Sequence, residues 1–210
     1  MPKLIDRQWY GQRVFEITLE RDTWNFQCGD ATLLVLPDHI TARPYSISSS
    51  PTAEYLSFLV RWMPSGTVSH FLATCALGTN LETSPPIPQL DLNNPETMVW
   101  IATGTGISPF LSALRYNPKV YPVQLLYGIR YFEDLANQRE LTTCPSLRLF
   151  VSQENVEGTC NRRIKPEDIV IDPRLRYAIC GHGLFAQQAT TYLLSKGIPQ
   201  ANVQCEVFFP

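Results

Sequence analysis

The sequence predicts a two-domain protein, with an antiparallel β-barrel over residues 1–93 followed by an α/β domain with a parallel sheet over residues 94–210. The first half contains several short strand-like segments separated by turns, which is typical of a small barrel or sandwich. The second half alternates apolar runs with helix-like segments, which implies a parallel sheet covered by helices. Between them, residues 77–95 are rich in proline and asparagine, and this shift indicates a domain boundary.

The composition excludes several classes of protein. Of the 210 residues, 44% are hydrophobic and 17% are charged, which is enough apolar material for an ordinary core. The net charge of −2 gives no electrostatic reason to expect nucleic acid or an anionic membrane as the partner. The six cysteines contain no C-x-x-C pair and the three histidines are dispersed, so we predict no metal site. The amino terminus lacks the apolar run of a signal peptide, and we expect a cytoplasmic protein with reduced thiols.

In the first half, the alternation of apolar and polar residues predicts strands over residues 14–20, 31–36 and 55–62. Residues 66–75 form a glycine turn that opens a short helix. The helix start offers backbone N–H groups to a phosphate. The simpler interpretation is a plain helix with Thr67 or Ser69 as its N-cap.

The segment Arg43-Pro44-Tyr45-Ser46 places a cation, an aromatic ring and a hydroxyl close together. The Arg43 guanidinium is suited to clamp a phosphate. In an extended segment Tyr45 points to the same side as Arg43 and Ser46 to the other. These chemistries fit a flavin nucleotide, which has both anionic groups and a flat polar ring system. An ordinary edge strand that runs into a Ser-Pro turn is the alternative.

The second half begins with an apolar strand over residues 97–102 that runs into a glycine-rich turn at Gly104 and Gly106. Ser108 is a plausible helix N-cap, with Pro109 at the first helical position. A strand, a glycine turn and a helix start form the place where an α/β fold binds a pyrophosphate. The spacing is not the full G-x-G-x-x-G pattern, and a tight turn without a ligand is the alternative.

The rest of the chain continues the alternation of strands and helices. Strands are predicted over residues 123–128, 147–151, 176–180 and 203–208, and helices over residues 131–141, 166–170 and 185–195. Ligands bind at the carboxyl ends of such strands. Thr105, Arg130, Ser152 and Cys180 all follow or end a predicted strand, so we expect them at that edge of the sheet.

Five motifs occur in a set order: Arg43-Pro44-Tyr45-Ser46, Gly66-x-x-Ser69-x-x-Leu72, Gly104 to Phe110, Cys180-Gly181 and Glu206-Val207-Phe208. Together they resemble the ferredoxin/flavodoxin–NADP reductase family, in particular its compact bacterial members, over nearly the whole chain. The resemblance implies an FAD-binding barrel followed by an NADP-binding α/β domain. It also implies hydride transfer between NADPH and FAD where the two domains meet.

The resemblance assigns a role to individual residues. Arg43 would bind the FAD pyrophosphate, Tyr45 would pack on the isoalloxazine, and Phe208 would cover its other face. The implied FAD-binding set is Arg43, Pro44, Tyr45, Ser46, Leu59, Val60, Gly66, Thr67, Val68, Ser69, Thr105, Phe208 and Phe209. The implied NADP-binding set is Gly104, Thr105, Gly106, Arg130, Ser152, Gln153, Arg162, Arg163, Cys180 and Gly181. The implied catalytic residues are Ser46, near the flavin N5, and Cys180 and Glu206, which would line the pocket.

The sequence departs from the family in two places. The Ser-Arg-Glu segment that usually grips the 2′-phosphate of NADP is Ser152-Gln153-Glu154 here, so one guanidinium is missing. Losing one charge-assisted contact costs about 1.5–3 kcal/mol, or about one to two decades in affinity. The second departure is phenylalanine instead of tyrosine at position 208, which keeps the stacking surface but loses a hydroxyl.

The resemblance implies an enzyme that takes a hydride from NADPH and passes single electrons to ferredoxin or flavodoxin, working as a monomer. The reductase component of an oxygenase and a free-flavin reductase of the same fold are the alternatives within this class. A non-catalytic subunit that retains the fold is the alternative from another class. Residues before Asn93 contain 6 basic and 9 acidic side chains, so composition shows no basic surface on the barrel for an acidic partner.

Overall fold

The computed structural model describes residues 1–208, so Phe209, which the resemblance assigns to FAD, lies outside the described residues. The first half of the chain folds into two antiparallel sheets, which we call the antiparallel region (residues 4–88). One sheet has the order β1-β2-β5, and in the other β3 pairs with β4, β6 and β7. The strands are β1 (Leu4–Tyr10), β2 (Val14–Glu20), β3 (Asp30–Val35), β4 (Ala42–Ser46), β5 (Tyr55–Arg61), β6 (Glu82–Thr83) and β7 (Ile87–Pro88), and helix α1 covers Thr67–Thr74.

The second half forms a five-stranded parallel sheet with the order β10-β9-β8-β11-β12, which we call the parallel region (residues 98–208). Its strands are β8 (Met98–Thr103), β9 (Gln124–Ile129), β10 (Leu147–Val151), β11 (Arg176–His182) and β12 (Val203–Phe208), and its helices are α2 (Ser108–Tyr116), α3 (Gln138–Thr142) and α4 (Gly183–Ser195). The strand order reverses beside β8, and α/β folds bind ligands at such a reversal. These sheets confirm the predicted fold class.

The alternation in β2 explains how the two regions are joined. Phe15, Ile17 and Leu19 are fully buried in the core of the antiparallel region. Val14 and Glu16, on the opposite face of the strand, are also buried, because that face packs against the parallel region. The interface between the regions therefore contains one buried carboxylate from β2.

Several details differ from the sequence prediction. The predicted helix over residues 131–141 is wrong: a 3₁₀ turn at Phe132–Asp134 is followed by the five-residue α3. Asn137 has a left-handed conformation with φ of 54°, which interrupts any continuous helix. Strand β1 was not predicted, because its sequence lacks regular alternation and a register shift between Leu4 and Asp6 breaks its pairing with β2.

The predicted helix caps are also wrong. Gly66 is the N-cap of α1, and the Ser69 hydroxyl instead bonds the backbone of Met63. Ser108 lies inside α2, where its hydroxyl donates to the Thr105 carbonyl at 2.8 Å, because Gly104–Ile107 form a 3₁₀ turn before the helix. None of the helices within residues 1–208 has the length and apolar character needed to cross a membrane.

Candidate functional site

A cleft of about 970 Å³ lies between the antiparallel and parallel regions. The antiparallel region contributes the end of β4, the end of β5 and the start of α1. The parallel region contributes the carboxyl ends of β8, β9 and β11 and the last residues of β12. Because parallel strands all end at one edge of the sheet, residues that are far apart in the sequence meet here.

Most of the residues that the sequence nominated line this cleft. They are Arg43, Pro44, Tyr45, Ser46, Leu59, Gly66, Thr67, Val68, Ser69, Gly104, Thr105, Arg130, Ser152, Arg163, Gly181, Glu206 and Phe208. The cleft thus brings together residues from all five of the motifs that carry the resemblance. Their individual roles stay predictions.

Strand β4 presents the Arg43-Pro44-Tyr45-Ser46 segment to the cleft. Arg43 is exposed, and the only hydrogen bond of its side chain among residues 1–208 is from Nη1 to the carbonyl of its neighbour Ala42, at 2.8 Å. Its guanidinium is therefore available to an anionic ligand. Burial raises the pKa of Tyr45 to about 12, and the charge of Arg43 offsets this only in part. Tyr45 therefore remains a neutral, partly buried aromatic surface at physiological pH.

The glycine turn after β8 closes the other side of the cleft. Gly104 has φ of +55°, a conformation that glycine adopts without strain, and nothing lies within 4 Å of where its Cβ would be. Gly106 differs, because a Cβ there would collide with the carbonyl of Cys180. Gly106 therefore allows the turn to approach β11 and does not line the cleft, and its predicted contact with NADP stays a prediction.

The three predicted catalytic residues form one hydrogen-bonded group. The Ser46 hydroxyl donates to Glu206 Oε1 at 2.7 Å, and the Cys180 thiol donates to Glu206 Oε2 at 3.3 Å. Ser46 ends β4, whereas Cys180 and Glu206 are paired neighbours on β11 and β12. The group therefore joins the two regions directly, across 160 residues of sequence between Ser46 and Glu206.

Burial gives this group its electrostatic character. Glu206 is 8% exposed, and burial raises the pKa of its carboxyl above the ordinary value. The hydrogen bonds from Ser46 and Cys180 offset that effect only in part. Burial, together with the charge of Glu206, also raises the pKa of the Cys180 thiol. Glu206 is thus suited to hold a proton nearer to neutral pH than an exposed glutamate does, and Cys180 stays a thiol.

Four residues that were predicted to belong to the site do not line the cleft: Cys180, Val60, Gln153 and Arg162. Cys180 is 1% exposed and reaches the cleft only through Glu206. Val60 points into the core of the antiparallel region, because its neighbour Leu59 takes the cleft side of β5. Gln153 is exposed outside the cleft, although its backbone N–H donates to the carbonyl of Arg130 at 2.9 Å.

Arg162 is engaged elsewhere. Its guanidinium makes a two-pronged ion pair with Asp168, with N···O distances of 2.6 and 2.7 Å, and lies 5.2 Å over the ring of Phe150. This pair lowers the pKa of Asp168 to about 2, chiefly through the hydrogen bonds from Arg162. Arg162 is therefore held in a structural ion pair, whereas the next residue, Arg163, faces the cleft.

Among residues 1–208, five charged or titratable residues of the cleft were not predicted from the sequence: Arg13, Arg61, Asp134, His182 and Cys205. Arg13 lies 3.9 Å from the Tyr131 ring and 3.8 Å from the carboxylate of Asp134. Arg13 Nε and Asp134 Oδ1 are buried without a hydrogen-bond partner among residues 1–208. No motif marks these residues, and only their position beside strand ends would have suggested them.

The cleft is more basic than the rest of the chain. It is lined by Arg13, Arg43, Arg61, Arg130 and Arg163 but by only two carboxylates, Asp134 and Glu206. Burial raises the pKa of both carboxyls. The chain as a whole has a net charge of −2, so the positive charge is concentrated where the two regions meet. Such a cleft favours a ligand with several negative charges.

Comparison with curated proteins finds reductase components of oxygenases. The chain is 36% identical over 125 residues to the anthranilate 1,2-dioxygenase electron transfer component of Acinetobacter baylyi, a match that covers 57% of this chain and 36% of that protein. It is 26% identical over 196 residues to the ferredoxin–NAD(P)(+) reductase component of the Pseudomonas putida naphthalene 1,2-dioxygenase system, covering 86% of this chain and 59% of that protein. The chain thus spans about a third to three fifths of the length of these relatives. No protein-family model matches it.

Solved structures give the same fold. A ferredoxin NADP⁺ reductase from Neisseria gonorrhoeae with bound FAD and NADP superposes with a TM-score of 0.88 at 18% identity, covering 99% of this chain and 98% of that one. The reductase of a carbazole 1,9a-dioxygenase superposes with a TM-score of 0.80 at 19% identity, covering 99% of this chain and 68% of that one. The fold is that of the ferredoxin–NADP reductases, and the resemblance indicated by the motifs is confirmed.

Proposed function

We propose that this chain, which has the fold of the ferredoxin–NADP reductases, is an FAD-dependent oxidoreductase that accepts a hydride from NAD(P)H and passes electrons singly to a small electron-transfer protein. The observation that carries the proposal is the group of Ser46, Glu206 and Cys180 at the meeting point of two regions. A polar, proton-holding group beside a basic cleft suits a flavin whose ring gains and loses protons as it changes redox state.

The residues of the cleft fit the two dinucleotides. Arg43 and the amino-terminal end of α1 at Thr67 would hold the FAD pyrophosphate, and Tyr45 and Phe208 offer aromatic surfaces for its ring. The open Gly104-Thr105 turn leaves room for a second ligand, and Arg130 and Arg163 supply cations for its phosphates. We propose that residues 1–93 form the FAD-binding domain and residues 94–210 the nucleotide-binding domain.

When bound, FAD would supply the hydride and one-electron chemistry itself. The residues of this chain position the reactants, and Ser46 and Glu206 form the group that can hold a proton beside them. The Ser46 hydroxyl donates its proton to the Glu206 carboxylate, which fixes its orientation, so its oxygen can accept a hydrogen bond from a ring N–H. Burial raises the pKa of Glu206, so this carboxyl takes up a proton more readily than an exposed glutamate, and the buried Cys180 thiol donates to its second oxygen.

The nucleotide preference follows from which arginines face the cleft. Arg130 and Arg163 line it, whereas Gln153 and the ion-paired Arg162 do not. The cleft thus offers two arginines to a 2′-phosphate, whereas the family pattern has three or four, and the 2′-phosphate is therefore bound more weakly. We therefore propose that the chain accepts both NADPH and NADH, with a smaller preference for NADPH than the family pattern implies.

For the electron acceptor, the two best-supported candidates are a ferredoxin or flavodoxin and the terminal component of an oxygenase. The curated relatives favour the second, because they are named as electron transfer or reductase components of dioxygenase systems. Those proteins are longer than this chain, so the acceptor would be a separate protein or a part of the same polypeptide outside these 210 residues.

Anaerobic mixing of the FAD-loaded protein with NADPH or NADH tests the proposal, with flavin absorbance near the expected band at about 450 nm as the signal. We expect bleaching by both nucleotides. In Ser46→Ala the bleaching should slow by about 100-fold, because the reacting ring loses an aligned hydrogen-bond partner. Thr74→Ala, on the exposed end of α1, is the matched control and should match the wild type. A protein that binds no FAD would support the non-catalytic alternative.

A further inference from the structure

A second polar group joins the two regions behind the cleft, and we call it the interface network: Tyr10, Glu16, Ser48, Ser57, Arg115 and Asn137. Arg115, on α2, is its centre. One nitrogen of its guanidinium, Nη1, donates to Glu16 Oε1 at 2.9 Å, to the Ser48 carbonyl at 2.9 Å and to the Ser57 hydroxyl at 3.2 Å. All of these acceptors belong to the antiparallel region.

Glu16 is saturated with donors. The Ser48 hydroxyl donates to Oε1 at 2.9 Å, and the Tyr10 hydroxyl and the Asn137 amide each donate to Oε2 at 3.2 Å. The side chains of Arg115 and Glu16 are 13% and 10% exposed. Besides Glu16, one other carboxylate, Glu140 on α3, approaches Arg115, at 3.5 Å from Nε. The network is therefore a nearly complete, buried ion pair with little solvent.

The position of this network relative to the catalytic group suggests more than stability. Ser48 lies two residues after Ser46, and residues 46–50 are all buried. The Ser48 N–H donates to the Ser57 carbonyl at 2.8 Å, while its own carbonyl is held by Arg115. Beside it, the Ser49 carbonyl accepts a hydrogen bond of 2.7 Å from Ser112, which is also on α2. Two side chains of α2 thus fix the backbone that follows Ser46.

Helix α2 also reaches the cleft at its other end. It begins at Ser108, which lines the cleft and donates to the Thr105 carbonyl at 2.8 Å. One short helix therefore connects the nucleotide side of the cleft, at Thr105, to the flavin side, at Ser46. The distance between these two sides is set by the contacts of Arg115 and Ser112 with the Ser48–Ser49 backbone.

We propose that Arg115, assisted by Ser112, is a positioning residue that fixes the alignment of the Ser46 segment with the Thr105 turn, and hence of flavin with nicotinamide. The inference rests on the proposed function, since alignment matters only if a hydride passes between two bound dinucleotides. A small misplacement of reacting atoms slows such a step by about 100-fold even when both ligands still bind.

The test measures the rate of flavin reduction at saturating NADPH and the KM for NADPH in FAD-loaded Arg115→Lys and Ser112→Ala. Arg115→Lys keeps the charge that Glu16 needs but loses the contacts of the other guanidinium nitrogens, Nη2 with Glu16 Oε2 at 3.4 Å and Nε with Glu140 at 3.5 Å. We expect the reduction rate to fall at least tenfold in Arg115→Lys and about threefold in Ser112→Ala. The KM and the flavin spectrum before reduction should change little.

Arg176→Lys is the matched control. Arg176 pairs with Asp91 at 2.9 Å, but it lies at the start of β11, at the sheet edge opposite the cleft, so we expect less than a twofold change in rate. Chemical reduction by dithionite should be equally fast in all variants, because it needs no aligned nicotinamide. An unchanged reduction rate in both Arg115→Lys and Ser112→Ala would overturn the inference, even if their melting temperatures fell.

The two failures are distinguishable. Absence of nicotinamide-dependent reduction in the wild type would refute the proposed function. Normal reduction in the wild type and in both α2 variants would leave that function standing and refute only the positioning role. If Arg115→Lys does not fold, Ser112→Ala decides alone, since it removes a single hydroxyl: a slowed rate at constant KM supports the inference and an unchanged rate refutes it.

Discussion

Glu16 and Glu206 are both buried, yet their environments shift the pKa of their carboxyls in opposite directions. Both are 8% exposed, and both join the antiparallel region to the parallel region. Burial alone would raise the pKa of each. For Glu16, the charge and hydrogen bonds of Arg115, with the hydroxyls of Ser57 and Ser48, reverse this and lower the pKa. For Glu206, two uncharged donors leave the pKa raised.

The difference teaches that burial does not decide what a carboxylate does. Paired with a guanidinium, Glu16 stays ionised and holds the two regions together. Paired with a hydroxyl and a thiol, Glu206 has no cation to offset its burial, so its pKa is raised and it gains a proton more readily than Glu16. One interface therefore contains two buried carboxylates whose pKa values are shifted in opposite directions, and the difference between them is the presence of a cation.

The largest expected effect comes from breaking the Glu16 pair. Arg115→Met leaves a buried carboxylate without its cation, and we expect the free energy of unfolding in urea to fall by about 3–5 kcal/mol. Arg176→Met is the control, because its pair with Asp91 is partly exposed (26% and 54%). We expect it to cost about 0–1 kcal/mol. Equal losses in both variants would mean that Glu16 is not held by Arg115.

A smaller effect is expected in the pH dependence of the free energy of unfolding, which differs between the two glutamates. The folded pKa of Glu206 is raised, so its protonation stabilises the fold at low pH, and this contribution is lost as the pH rises above the ordinary glutamate pKa of about 4.3. Measured in urea at equal FAD loading, Glu206→Gln should therefore gain stability relative to the wild type as the pH rises above about 4.3.

Glu16→Gln should show the opposite slope. The folded pKa of Glu16 is lowered, so its ionised form stabilises the fold above the unfolded pKa, and this contribution is lost as the pH falls through the folded value. The variant should therefore lose stability relative to the wild type as the pH rises towards about 4.3 from below. Slopes of the same sign in the two variants would contradict the assignment of the two environments.

The smallest effect concerns how many donors Glu16 needs. Tyr10→Phe removes one of them, the 3.2 Å hydrogen bond to Oε2, but Arg115 and Ser48 remain. We expect a loss of about 0.5–1.5 kcal/mol in the free energy of unfolding, the usual value for one hydrogen bond. Tyr121→Phe, which removes a hydroxyl that donates to the Pro118 carbonyl on the surface, is the matched control. A loss as large as that of Arg115→Met would show that the network fails as a unit.

Many of the residues that line the cleft were predictable from the sequence, because they belong to compact motifs. Arg43 to Ser46 and Gly104 to Thr105 act within a few residues of each other, so local sequence carries their chemistry. The interface network was not predictable. Glu16 appeared as an ordinary polar position of an alternating strand, and the three serines after Ser46 as turn residues. The partners of Glu16, Arg115 and Asn137, lie 99 and 121 residues away in the sequence.

By itself the sequence determined the fold class, since the spacing of apolar residues and glycines fixes which segments become strands, turns or helices. It also determined the order of the motifs and most of the residues around the cleft. Tertiary structure alone decided the state of each charge. Arg162 and Arg163 are neighbours, yet one is tied to Asp168 and the other faces the cleft. Charge states depend on distance and burial, and neither exists until the two regions have packed together.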